Sequence, residues 1–146
     1  MANTSALETL IELAQRESDD AAKRLGAALK AVEEAEQKYQ MLLGYRDDYA
    51  NRLDQQQMAG ITPFAYQNFV AFVAKLDNAI NGQAEVVKHA KYKGDQEKKA
   101  WQESERKRLS YRTLNERALA EAQKIADKRD QKMMDDHAAR TVRNQR

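Results

Sequence analysis

Residues 5–54 read SALETLIELAQRESDDAAKRLGAALKAVEEAEQKYQMLLGYRDDYANRLD, and the spacing inside that stretch decides the fold. Stepping by four and three in turn picks out Leu7, Ile11, Ala14, Ser18, Ala21, Leu25, Ala28, Val32, Ala35, Tyr39, Leu42, Arg46, Tyr49 and Leu53. Only Ser18 and Arg46 in that series are not apolar. A seven-residue repeat held this long keeps one seam of a helix turned toward a partner helix, which is the coiled-coil pattern. In this register Ile11, Leu25, Val32, Tyr39 and Leu53 take position a. Leu7, Ala14, Ala21, Ala28, Ala35, Leu42 and Tyr49 take position d. Four successive alanines at d let a partner backbone approach closely. The competing reading is an amphipathic helix inside a compact bundle.

Working outward, Ser5 with Glu8 three residues later has the form of a capping box, and Glu8 and Glu12 suit the positive end of a helix dipole. No proline interrupts the chain before Pro63. The only clear break is Met58 to Pro63. Gly60 suits the left-handed residue beyond a helix C-terminus, Thr62 suits an N-cap, and Pro63 suits the first helical position. A break this short predicts an antiparallel hairpin of two helices. The fold class expected is therefore all-α, a long antiparallel two-stranded coiled coil. Its 1–146 span forms a single hairpin with a helix at about 5–57, a turn at about 58–62, a second helix at about 63–140 and a frayed C-terminus.

The second arm opens with a seam of Phe69, Val73, Leu76, Ile80, Gln83, Val87 and Ala90. It blurs through Gly94 and Glu97 and recovers partly at Trp101, Tyr111, Leu114, Ala118, Ala122 and Ile125. The second arm is the longer, so the first runs out of partner near residue 117. The paired length comes to about 80 Å at 1.5 Å per residue. Residues from Ala118 to about Ala139 then project without a partner.

Composition agrees with long solvated helices. Of 146 residues, 33% are charged and 42% hydrophobic, with five glycines and one proline. There is no cysteine, which removes any disulfide framework or thiolate site. No apolar run reaches the roughly 18 residues of a spanning helix. The acidic N-terminal segment does not read as a secretory signal peptide, so a cytoplasmic location is expected. Charge is uneven: residues 1–60 hold 7 Lys/Arg against 11 Asp/Glu, and residues 61–146 hold 18 against 12. An acidic arm folding against a basic one is electrostatically favourable.

Catalytic and cofactor signatures are missing. Phosphate-loop, dinucleotide and zinc-protease patterns do not occur, and His89 and His137 have no partner at ligand spacing. The carboxylate pairs Asp19/Asp20, Asp47/Asp48 and Asp135/Asp136 read as solvated surface. The sequence points to no enzyme, no cofactor, no metal and no small-molecule ligand.

Two surfaces exceed what a seam requires. Ala65, Phe72, Ala79 and Val86 occupy successive g positions of the second helix, where charged residues are usual, and with Leu76 they widen its apolar face. Such a strip marks a protein-binding surface or a broader core. The basic residues Lys88, Lys91, Lys93, Lys98, Lys99, Arg106, Lys107, Arg108 and Arg112 are interspersed with acids. Arg129, Lys132, Arg140, Arg143 and Arg146 cluster near the C-terminus. A solvated face, nucleic acid and an acidic protein partner all remain open, although interspersed acids dilute the one-sided stripe that nucleic acid requires.

The residues Ala6-Leu7-Glu8-Thr9-Leu10, Asp19-Asp20-Ala21-Ala22, Leu25-Gly26, Met41-Leu42, Tyr45, Tyr49, Gly60-Ile61, Phe72-Val73, Leu76, Ala79-Ile80, Asp130-Gln131-Lys132 and Met134-Asp135 together resemble the FliJ family. This is the small coiled-coil component of the flagellar type III export apparatus. The resemblance covers nearly the whole chain. It implies a stalk-like hairpin that inserts into the hexameric export ATPase FliI and promotes its assembly. It also implies contact with the export-gate membrane protein FlhA, escort of export chaperones, and peripheral association with the inner membrane at the flagellar base. The family's gate-binding strip maps onto Phe72, Leu76, Ala79 and Gln83; the basic end, with Arg129, Lys132 and Arg140, suits contacts with the ATPase ring. No nucleic acid is implied. The rival functions are a general coiled-coil chaperone for unfolded export substrates and a basic helical nucleic-acid-binding protein.

Overall fold

The computed structural model describes the backbone of residues 2–145 and the side chains of residues 5–145. Two α-helices, α1 (Ala2–Ala59) and α2 (Pro63–Asn144), pack against each other as an antiparallel hairpin, with no strand among the described residues. The chemistry expected of the turn is what forms it. Gly60 adopts φ 93°, which a residue with a Cβ rarely reaches, and its N–H bonds the Gln57 carbonyl at 3.4 Å. Thr62 Oγ1 accepts the Ala65 N–H at 3.2 Å, and its carbonyl accepts the Tyr66 N–H at 3.0 Å, so Thr62 caps α2. At the other end the expected cap is not used. α1 begins at Ala2, so Ser5 lies inside the helix, where its carbonyl accepts the Thr9 hydroxyl at 3.0 Å. α2 likewise continues through Thr141 to Asn144.

Burial follows the heptads of α1 closely. All fourteen seam positions from Leu7 to Leu53 are buried or half-buried, and between residues 5 and 54 only Leu43 and Ala50 join them. The alanines at d and Ser18 are the deepest, and Ala21 is 0% exposed. Small side chains bring the helix axes close, so the contact is narrow and close-packed.

The seam of α2 does not blur as the sequence predicts. Residues 69, 73, 76, 80, 83, 87, 90, 94, 97, 101, 104, 108, 111 and 115 are all buried or half-buried, an unbroken heptad run. Leu114 and Ile125, expected on the seam, are exposed. Opposite the alanines of α1, α2 needs no bulky apolar residue. Buried Gly94 lies where an added Cβ would meet Val32 Cγ2 at 3.8 Å and Leu29 Cδ2 at 3.9 Å. Polar seam residues such as Gln83 and Ser18 are accepted because they find partners, whereas Asn115, at the end of the run, leaves a buried Oδ1 without one. Beyond Asn115, every described residue of α2 is exposed.

Contacts divide the chain into two compact units, one of Met1–Asp19 with Glu103–Arg146 and one of Asp20–Gln102. In the second unit Gln83 Nε2 donates to the Ala35 carbonyl at 3.0 Å. In the first, Ser18 Oγ donates to Glu105, whose carboxylate is also held by Arg108 through bonds of 3.2 and 2.8 Å. Cross-helix ion pairs do not simply follow net arm charge. Lys91–Glu36 (3.0 Å) and Lys107–Glu17 (3.5 Å) join a base of α2 to an acid of α1. Arg24–Glu97 (3.4 Å) and Arg46–Asp77 run the other way. Local register, more than summed charge, chooses these pairs.

Candidate protein-binding surface

In unit Asp20–Gln102, positions g of the two antiparallel helices share one flank, because the arms run in opposite directions. On that flank α2 presents Ala65, Phe72, Ala79 and Val86, and α1 presents Tyr45 and Arg52. Helical spacing fixes which side chains emerge, and seam burial fixes which do not. Phe72 is 39% exposed, and its ring stacks on Tyr49 with centroids 4.3 Å apart and planes inclined by 26°. Tyr49 also meets Phe69 at 5.7 Å in a tilted pair, and the Arg52 guanidinium lies 5.9 Å from the Tyr49 ring centroid. Tyr45 is 50% exposed beside this cluster, and Val86 is exposed further along α2. A depression of about 340 Å³ is lined by Tyr49, Ala65, Asn68, Phe69 and Phe72.

The four residues of the expected gate strip are therefore not alike. Phe72 and Ala79 are exposed on the flank. Leu76 is buried in the seam, and Gln83 is 7% exposed with its amide committed to Ala35. Leu76 and Phe72 line a second depression together with Tyr45, Asp48, Tyr49 and Arg52. The sequence reading missed Tyr45 as part of this surface. The search for apolar g positions on α2, applied equally to α1, finds it.

The charged chemistry is that of a solvated coiled coil. Arg46 is held above its ordinary range by its hydrogen bond to Asp77 and by that carboxylate's charge. Glu105 is held below the ordinary glutamate range, first by Arg108 and then by the Ser18 hydroxyl. Arg129, Lys132 and Arg140 are exposed on α2 beyond the paired stretch, and helical spacing puts all three within one face of it. Among the described residues no group of three His, Cys, Asp or Glu side chains is arranged to hold a metal ion. Among the described residues no helix is long and apolar enough to cross a membrane.

The family model described as "Flagellar FliJ protein" matches residues 3–146. The chain belongs to the FliJ family. Relatives include the flagellar FliJ proteins of Escherichia coli (strain K12) and Salmonella typhi, each 34% identical over 142 residues and 97% of both chains. A solved structure of a putative YscO homologue from Chlamydia trachomatis is similar at 16% identity and a TM-score of 0.48, over 94% of this chain and 90% of that one. Membership in the FliJ family gives this chain a role in flagellum biogenesis and type III protein export.

Proposed function

We propose that this FliJ-family chain is a non-enzymatic coupling component of the export apparatus, working as a stalk between the export ATPase and the export gate. The observation that carries this reading is the exposed aromatic flank of unit Asp20–Gln102. An aromatic cluster half out of water on a helical pair has no catalytic use, but it suits an apolar face on another protein. Phe72 and Ala79, with Tyr45 beside them, would meet the cytoplasmic part of the gate protein FlhA. Leu76 and Gln83 would act from beneath by holding the flank in place. The exposed helix beyond Asn115 would meet the FliI hexamer through Arg129, Lys132 and Arg140 and promote ring assembly. Escort of export chaperones, a cytoplasmic location and peripheral attachment to the inner membrane at the flagellar base complete the proposal.

The test is a pull-down with the purified ATPase, followed by its hydrolysis rate with and without this chain. Co-purification and faster hydrolysis are the expected results; the absence of both binding and a rate change would refute the ATPase limb. For the gate limb, Phe72→Ala should weaken binding to the FlhA cytoplasmic domain with circular dichroism unchanged. Equal binding by that variant would remove the flank as the interface.

A further inference from the structure

The apolar seam supplies adhesion between α1 and α2 but little alignment. Position d of α1 is alanine at 14, 21, 28 and 35, so displacing α2 by seven residues offers it the same holes again. The facing seam of α2 is no more particular, with Ala90, Gly94, Glu97 and Ser104 among its positions. A seven-residue displacement moves a helix by about 10 Å. Along the alanine stretch, apolar packing alone barely distinguishes the two registers.

The polar seam residues do distinguish them. Gln83 is nearly buried, and its amide reaches one particular carbonyl, Ala35, at 3.0 Å. Ser18 is 2% exposed, and its hydroxyl donates to Glu105, which Arg108 holds in turn. Displacement by a heptad would part the buried Ser18 hydroxyl from Glu105 in either direction; toward the turn it would also carry the Gln83 amide from Ala35 to Leu42, and only away from the turn would Ala28 offer a similar carbonyl. Displacement would also bring Glu105 against Ile11 or Leu25, the apolar a positions on either side of Ser18. A buried polar group that loses its partner is costly, whereas an apolar side chain there would be indifferent to the slip. We infer that Gln83 and the Ser18–Glu105–Arg108 set are alignment pins that fix the register of α2 on α1. Gln83 thereby contributes to the exposed flank by position and not by contact: it sets which α2 residues stand beside Tyr45 and Tyr49. This inference concerns the fold and stands whether or not the flank binds the gate.

The turn at Gly60 also restrains register, so the test must remove that restraint. Seven glycine and serine residues are inserted after Gly60, in the native seam and in a chain carrying Gln83→Leu, Ser18→Ala and Glu105→Leu. Spin labels are placed at Lys23→Cys and Lys88→Cys, both exposed and both in unit Asp20–Gln102; the native chain has no other cysteine. The distance between them is read by pulsed electron paramagnetic resonance. The native seam should keep one distance population, and the unpinned seam should gain a second, displaced by about 10 Å along the helix. A single unchanged population in the unpinned chain would overturn the inference, as would two populations with the native seam. Loss of helicity in the unpinned chain would overturn it too, because these groups would then support stability and not alignment.

Discussion

The seam near the turn and the seam of the other unit are built from different materials. In unit Asp20–Gln102, close to Gly60, Tyr49, Phe69, Phe72 and Leu76 crowd together, and the aromatic rings overflow onto one flank. In unit Met1–Asp19 with Glu103–Arg146, the deepest residues are Ala14 and Ser18, and Ser18 meets the Glu105 carboxylate that Arg108 also holds. The first arrangement removes much apolar area from water and leaves an adhesive surface outside. The second removes little and relies on satisfied hydrogen bonds. Both obey one heptad repeat, so the repeat dictates where contact occurs and the residue types dictate what the contact does.

Substitutions can break or sharpen that contrast. Leu76→Ala should have the largest effect, a loss of about 2–4 kcal/mol, because it opens a cavity beneath the aromatic cluster. Thermal unfolding followed by circular dichroism measures it. Ala21→Leu should cost about 1–3 kcal/mol by forcing the close-packed alanine seam apart, seen as a lower midpoint in urea. A smaller gain is expected from Gly94→Ala, up to about 1 kcal/mol. The new methyl would sit at ordinary contact distance from Val32 and Leu29 and would restrict the unfolded chain. A lower melting temperature in that variant would show the seam there to be tighter than the distances imply.

Acid sharpens the comparison from the other side. Glu105 is lowered from its ordinary value of 4.5 in the folded chain by Arg108 and Ser18. Its contribution is therefore present above that value and fades as pH falls through the lower folded value. Between neutral pH and strong acid, Glu105→Gln should flatten part of the stability loss. The smallest effect is expected at Lys107–Glu17, an exposed pair at 3.5 Å. Replacing Lys107 by Met should change stability by under about 1 kcal/mol, and added salt should erase the difference.

Much of this was legible in the chain, and the exceptions share one cause. Gly60, Thr62 and Pro63 announced the turn because each has a local backbone preference that needs no partner. The α1 seam was legible because its residues are apolar at seam positions. The lower α2 seam was not, because Gly94, Glu97, Ser104 and Arg108 look like surface residues until their neighbours on α1 are known. The aromatic flank was half legible: Phe72 was found from its off-seam position, while Tyr45 required the two helices to be set side by side. Ser5 shows the reverse case, a good capping residue that the helix runs past.

By itself the sequence determined that there would be two long helices, where the chain would turn, and which edge of α1 would be hidden. These follow from periodicity and backbone preference, which are local properties. Only the tertiary structure decided which polar residues could be buried, which of Phe72, Leu76, Ala79 and Gln83 would face outward, and which charges would pair. Those outcomes depend on what stands opposite each side chain, and a single helix carries no record of its partner's register.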